Sequence, residues 1–239
     1  MVFRRPELTV GRSRRQDVVM PGSPTTTTRR VEVDAVRLAG WLERFATSHG
    51  PCVTTHDDTT VTVVAADGAR AVMTVTFPPL APGGVDQDSE PDAGLAAHTL
   101  MTRRVGVLLV RLGGYAVGVV DGGRLVESKV GSRQVHGRSA AGGWSQQRFA
   151  RRREGQVRVA LGAAADVAAR ILVPIAGSLD AIVLGGDRRS AEAVVDDSRL
   201  VVLRALVVPR VLDVPDPKKV VLDTVPARLI AVPVLVTDP

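Results

Sequence analysis

The order of hydrophobic segments predicts an α/β (α+β layered) domain over residues 103–239, behind a smaller N-terminal α+β subdomain at 31–80. Three observations carry that prediction. Residues 105–110, 115–120 and 125–131 are short apolar or alternating runs, punctuated by Gly113-Gly114 and Asp121-Gly122-Gly123, as three successive strands with tight turns would be. A long helical pattern follows at 145–173. Strand-like and helix-like segments then alternate to residue 236.

Each element has a local reason. Residues 1–30 read as a flexible basic arm, since Arg4-Arg5, Arg14-Arg15, Pro21-Gly22-Ser23-Pro24 and a Thr run carry no regular period. Asp34 suits the cap of a helix along which Leu38, Trp41, Leu42 and Phe45 recur at 3–4 spacing, and Gly50-Pro51 ends it. The Val- and Thr-rich segments 53–64 and 71–77, split by Ala66-Asp67-Gly68, predict a hairpin. Residues 81–102 read as a linker, with Pro, Gly and acids gathered at 78–94.

In the larger domain, Pro174 stops the long helix. Its 29 residues would extend about 43 Å. Leu161, Ala164, Ala168 and Ile171 form a packing stripe, whereas 146–154 offers only Phe149 and Ala150 as apolar residues. The front of the helix is therefore expected to project from the body. Residues 181–184 read as a buried strand ending at Gly185-Gly186-Asp187, with a helix at 190–195 behind it. A further strand is predicted at 200–208, and a short helix at 218–224 capped by Asp216-Pro217. The last segment, 227–236, is preceded by Pro226 and interrupted by Pro233, which predicts an edge strand.

With 45% hydrophobic and 23% charged residues in 239, composition excludes global disorder and collagen-like structure. The single Cys52 excludes an intrachain disulfide framework and a Cys-based zinc finger. The apolar stretch at 105–120 is broken by Arg111 and Gly113-Gly114, and the first thirty residues lack an apolar signal core. A cytoplasmic protein with no membrane partner is expected.

The net charge of +6 is unevenly spread. Residues 129–158 hold eight Lys/Arg against Glu154 alone, and residues 1–30 hold seven Arg against Glu7 and Asp17. The remainder is mildly acidic. A like-charged block repels itself and is tolerated where a polyanion meets it, so a nucleic acid is the expected partner.

The densest part of that block reads His136-Gly137-Arg138-Ser139-Ala140-Ala141-Gly142-Gly143-Trp144-Ser145-Gln146-Gln147-Arg148-Phe149-Ala150-Arg151. It resembles the middle domain of the class-1 peptide release factors of eukaryotes and archaea, which carries His-Gly-Arg, a Gly-Gly-Gln tripeptide, then Ser, two residues and Arg-Phe-Ala-Arg. Trp144 stands where the tripeptide's glutamine would fall, and glutamine comes instead at Gln146, three after Gly143. That Gly-x-x-Gln arrangement is similar to the Vms-like release factors, and the run is most similar to their actinobacterial branch. The resemblance covers about residues 103–208. It implies a ribonuclease-H-like release-factor middle domain and a peptidyl-tRNA hydrolase in ribosome rescue, acting on stalled large ribosomal subunits without metal or cofactor. Its partners would be the large subunit with peptidyl-tRNA, ribosomal RNA and tRNA. Gln146 is the first candidate for the reactive glutamine and Gln147 the second, with Gly142 and Gly143 beside them.

The chemistry suits these residue types. Glycines permit close backbone approach to RNA, and a helix N-terminus presents free N–H groups that could donate to a developing oxyanion. Glutamine is a neutral donor and acceptor, able to orient a water. Lys129, Arg133, Arg138, Arg148, Arg151, Arg152, Arg153 and Arg158 would contact phosphates, and His136 could join them. Trp144 would either stack on a base or cap the helix, and Phe149 would pack its base. Two other readings stay open. One is a non-hydrolytic ribosome- or tRNA-binding rescue factor, favoured by Trp144 in the glutamine position. The other is a metal-dependent ribonuclease using Asp121, Asp180, Asp187 or Asp196. His56-Asp57-Asp58 lacks metal-ligand spacing to His49 or His98.

Overall fold

The computed structural model describes residues 27–80, 91–111, 113–132 and 144–239, of which 91–93 and 144–153 enter only through the helices that contain them. In chain order the elements are β1 (Thr27–Asp34), a 3-10 turn (Ala35–Arg37), α1 (Leu38–His49), β2 (Cys52–His56), β3 (Thr60–Ala65), β4 (Arg70–Thr74) and α2 (Pro91–Leu100). Then come β5 (Arg104–Arg111), β6 (Gly114–Asp121), β7 (Arg124–Ser132), α3 (Trp144–Leu172), a 3-10 segment (Val173–Ser178), β8 (Ala181–Gly186) and α4 (Arg188–Val195). A second 3-10 segment (Ser198–Leu206), β9 (Val207–Leu212), α5 (Lys219–Leu229) and β10 (Ala231–Asp238) follow.

The strands form two five-stranded sheets in a mixed α/β fold, ordered β1-β10-β4-β3-β2 and β7-β6-β5-β8-β9. The first is antiparallel throughout. Its strands alternate, burying Val61, Val63, Ala71, Met73, Val232 and Val234 against Leu38 and Phe45 of α1 and Leu95 of α2. The second sheet joins an antiparallel meander, β5-β6-β7, to the parallel strands β8 and β9. The run Val107-Leu108-Leu109-Val110 in its central strand is buried throughout, because helices cover both faces. Leu108 and Val110 pack with Ala164, Ala168 and Leu172 of α3, while Val107 and Leu109 share a cluster with Leu222 and Val225 of α5.

The three-strand meander, the long helix and β8 match the sequence expectation. So does the Asp187 cap, which accepts from Ser190 N at 2.9 Å; Asp34 accepts from Val36 N at 2.9 Å and so caps the 3-10 turn ahead of α1, whose own cap position is Arg37.

Other expectations are corrected. The last strand is not an edge: β10 lies between β1 and β4 in the first sheet, so a boundary at 103 does not separate the two sheets in sequence. Pro233 is tolerated because the ladder to β4 starts only at Val234. Thr27–Arg30, assigned to the arm, are the first half of β1, and residues 1–26 lie outside the described residues. The segment 53–64 is two strands, parted by a turn in which Asp57 accepts from both the backbone and the hydroxyl of Thr59 and Thr60. The expected linker contains α2, held by buried Leu95 and His98. Residues 198–206 are 3-10 rather than strand, because Asp197 caps the segment and Leu200 and Leu203 bury at the three-residue period of that helix. The helix expected at 218–224 starts at Lys219, with Lys218 rather than Asp216 at the cap, and runs on to Leu229 through Pro226.

One apolar segment escaped the sequence reading. Glu154–Ser178, 25 residues, is long and apolar enough by composition to cross a membrane. Ala164, Ala165, Ala168 and Leu172 within it are at most 1% exposed, and they pack over β5 and β6 as core.

Candidate nucleic-acid interface

The long helix and the strand before it set the site. β5 runs antiparallel to β6 and β6 to β7, while β8 is parallel to β5, so β5, β7 and β8 end at one edge of the second sheet. Ser132 closes β7 there, beside Arg111 and Gly186. α3 begins at residue 144, after a connection of eleven residues, and runs back to the opposite edge, where Asp180 Oδ2 accepts from Arg104 N at 2.6 Å.

Between Glu154 and Ala163 α3 only skirts the core, with Leu161 packed at its rim. From Glu154 to Ala163 no residue is buried, and Arg158 and Val159 are exposed; burial begins at Ala164. Residues 144–163 therefore extend about 30 Å of helix with no buried member among those whose burial is described.

This arrangement brings some of the predicted residues together. Trp144, Gln146, Gln147 and Arg148 occupy the start of α3, and Arg151, Arg152 and Arg153 the turns after it. Arg158 lies exposed on the same helix, and Lys129 is exposed on β7, opposite Val117. Arg133, His136, Arg138, Gly142 and Gly143 lie outside the described residues. At 3.6 residues per turn Gln146 falls on the line of Val157 and Ala164, and Gln147, about 100° round, falls on the line of Ala165 and close to Leu172.

One contact near this edge was not read from the sequence, and the Gly186 turn that was read takes its geometry here. Tyr115 pairs with Gly131 across β6 and β7, and a Cβ at Gly131 would come within 2.3 Å of the Tyr115 ring. The tyrosine thus lies over bare backbone one residue before β7 ends. A glycine inside a predicted strand was the signal available. Gly186 has φ +86°, and a Cβ there would meet Val110 O at 2.2 Å; this tight turn lets Asp187 N donate to Val110 O at 2.7 Å. The hydroxyl and then the backbone N–H of Ser190 lower the pKa of Asp187 from its ordinary value.

The carboxylates weighed as metal ligands are engaged separately. Asp121 pairs with Arg104 at 3.6 Å, Asp180 with the Arg104 backbone, Asp187 with α4, and Asp196 with Arg204 at 3.6 Å. Asp57 is held down to about 2, chiefly by the Thr59 hydroxyl, with the Thr59 backbone and Thr60 adding to it. Among the described residues no three His, Cys, Asp or Glu side chains gather as a metal site.

Residues 103–235 match the family described as Actinobacteria/chloroflexi VLRF1 release factor. No curated protein matches the chain. Among solved structures it is similar to the archaeal translation termination factor aRF1, at 18% identity and TM-score 0.41, over 70% of this chain and 51% of that one. It is similar to the Vms1 mitochondrial localization core at 11% identity and TM-score 0.40, over 82% and 81%. It is also similar to Archaeoglobus fulgidus Pelota at 12% identity and TM-score 0.30, over 89% and 66%. The chain spans about half the length of aRF1.

Proposed function

The chain belongs to the Actinobacteria/chloroflexi VLRF1 release factor family, and from that premise we propose that it is a cytoplasmic ribosome-rescue factor that hydrolyses peptidyl-tRNA on stalled large ribosomal subunits. In this reading the second sheet and its helices are a ribonuclease-H-like release-factor middle domain. The observation that carries the reading is that Trp144 to Arg151 begin a helix of which no residue from Glu154 to Ala163 is buried.

The ribosome supplies most of the positioning, and the factor inserts a narrow cationic tip. Arg148, Arg151, Arg152, Arg153 and Arg158, with Lys129, Arg133, Arg138 and His136, meet phosphates and set the angle of approach. Gly142 and Gly143 let the backbone come close to RNA, and Trp144 stacks on a base. Gln146 orients a water toward the ester carbonyl. The water oxygen bonds to that carbon, the bond to the tRNA 3′-oxygen breaks, and the proton passes to the departing oxygen. Free N–H groups at the start of α3 donate to the oxyanion that forms between those steps.

Trp144 in the tripeptide's glutamine position favours a second reading, a rescue factor that binds ribosome or tRNA without hydrolysis. One experiment separates the two. Large subunits carrying labelled peptidyl-tRNA are mixed with wild type, Gln146→Ala, Gln147→Ala and Trp144→Ala, and freed peptide and bound factor are scored apart. Release by wild type that is lost on one glutamine, with binding kept, supports hydrolysis. Binding without release by any of the four supports the second reading.

A further inference from the structure

α3 carries two glycines that packing does not ask for. Gly155 and Gly162 are seven residues apart, two turns, and so fall on one line of the helix. A Cβ at either would meet nothing within 4 Å. Several other glycines do show a reason: Gly131 lies under Tyr115, Gly185 would bring a Cβ to 2.6 Å from Leu109, and Gly186 has a positive φ, whereas Gly177 in the 3-10 segment is as open as these two. Within a helix each open glycine weakens its turn relative to alanine.

Both lie where the helix has least support. Between them no residue is buried, and tight packing starts only at Ala164. On the opposite side of the same turns Val157, Ala160 and Leu161 meet Val110, Arg111 and Tyr115 across a crevice of about 10 Å³. A helix that is weak on its solvent side and held beneath only by half-buried side chains can bend about those turns.

We propose that α3 bends between Gly155 and Gly162, and that this bend lets the start of the helix change its angle to the sheets as the factor enters its site. The proposal deepens the release reading and rests on it for its consequence, though not for the bend itself. Binding through the basic turns fixes one end of the helix to RNA, and the core fixes the other; the glycines take up the mismatch. Bending of this kind belongs to motions that complete a site on binding rather than to the chemical step.

The test uses the full chain and the double variant Gly155→Ala/Gly162→Ala, whose added methyl groups enter open space. Amide hydrogen exchange is followed over 154–163 and 164–172, and peptide release and factor binding are measured on large subunits carrying peptidyl-tRNA. In wild type, 154–163 should exchange much faster than 164–172, and each alanine should slow it about fivefold. The double variant should bind as wild type does and release about tenfold more slowly. Adding Val159→Gly, at a residue 61% exposed, should restore both fast exchange and release. Wild-type exchange equally slow in both halves overturns the bend. Slowed exchange with unchanged release overturns its role. If wild type releases no peptide, the release reading falls, and the exchange comparison still decides for or against the bend.

Discussion

Arg210 Nη2 on β9 lies 3.0 Å from Glu32 Oε1 on β1, joining the two sheets across 178 residues of sequence. The same guanidinium donates to Thr76 Oγ1 at 3.0 Å and to the carbonyl of Ala231 at 2.9 Å. Arg228 reaches Glu32 from α5 at 3.0 Å and also donates to Asp213 O at 2.7 Å. One carboxylate thus serves two arginines, and each arginine also satisfies a backbone carbonyl. The planar fork of Arg fits such multiple acceptors where a lysine would not.

Replacing Arg210 by alanine strands these acceptors at a site where the arginine is only 9% exposed. Breaking a buried, hydrogen-bonded charge costs about 3–5 kcal/mol, and the partial exposure of Glu32 lowers that to roughly 2–3 kcal/mol. Arg210→Lys should fall between wild type and Arg210→Ala. Urea unfolding followed by circular dichroism measures all three. Equal midpoints would mean that the joint does not hold the sheets.

The joint also makes stability depend on pH. Burial raises the Glu32 pKa, but the Arg228 hydrogen bond and the charges of Arg210 and Arg228 outweigh it, and the net shift is downward. A depressed carboxylate pKa stabilises the fold above the unfolded-state pKa, and that contribution is lost as pH falls through the folded value. Unfolding free energy should therefore drop between about pH 5 and about pH 2. Glu32→Gln should flatten part of the slope, leaving the parts due to Asp57 and Asp197, each held at about 2 by hydrogen bonds.

Gly186 and Gly122 both have positive φ, +86° and +54°, yet they differ in surroundings. At Gly122 a Cβ meets nothing within 4 Å, so Gly122→Ala should cost only the left-handed backbone penalty, about 1–2 kcal/mol. At Gly186 the added carbon strikes Val110 O, a backbone atom that cannot step aside, and Gly186→Ala should cost at least about 2 kcal/mol more. Thermal unfolding of the two variants ranks them. A smaller loss for Gly186→Ala would contradict the turn geometry.

What was legible in the sequence was local. Gly113-Gly114 and Asp121-Gly122-Gly123 marked the meander, and the stripe from Leu161 to Ile171 marked the buried half of α3. What was hidden depended on partners distant in sequence. Pro233 reads as an edge residue, but its strand is claimed on one side by β1 through all eight residues from Thr27 to Asp34 and on the other by β4 from Val234 on. Residues 200–206 are Val- and Leu-rich, yet the Asp197 cap and two buried leucines three apart select a 3-10 segment, and only 207–208 of the expected strand are extended, as the start of β9. At the site, the motif residues could be named from their order alone. Tyr115 over Gly131 could not, because that contact needs the register of β6 on β7.

Arg158 is exposed on α3, beyond the turns that carry the reactive candidates, and tests the cationic approach apart from the chemistry. Arg158→Ala should weaken binding to large subunits and lower the magnitude of the slope of log affinity against log salt by about 1. Release at saturating factor should stay at the wild-type rate. An unchanged salt slope would remove Arg158 from the phosphate contacts.

Gln146 and Gln147 are neighbours on one helix, about 100° apart, so a single docking angle of α3 can present only one of them to the ester. By periodicity Gln146 falls on the line of Val157 and Ala164, and Gln147 on that of Ala165, both within the arc through which the far end of α3 is seated on its sheet. The Gly-x-x-Gln spacing from Gly143 favours Gln146 as the one presented. Loss of one water-orienting or oxyanion-stabilising group from a preorganised site lowers a rate by about 100-fold to 1000-fold. Gln146→Ala should lose release by about that factor at unchanged binding, because the interaction exists only when the reacting water is in place. Gln147→Ala should keep most of the wild-type rate. The reverse ranking, measured on the same peptidyl-tRNA-bearing subunits, would move the reactive role one residue along the helix and require α3 to be docked in a rotated orientation.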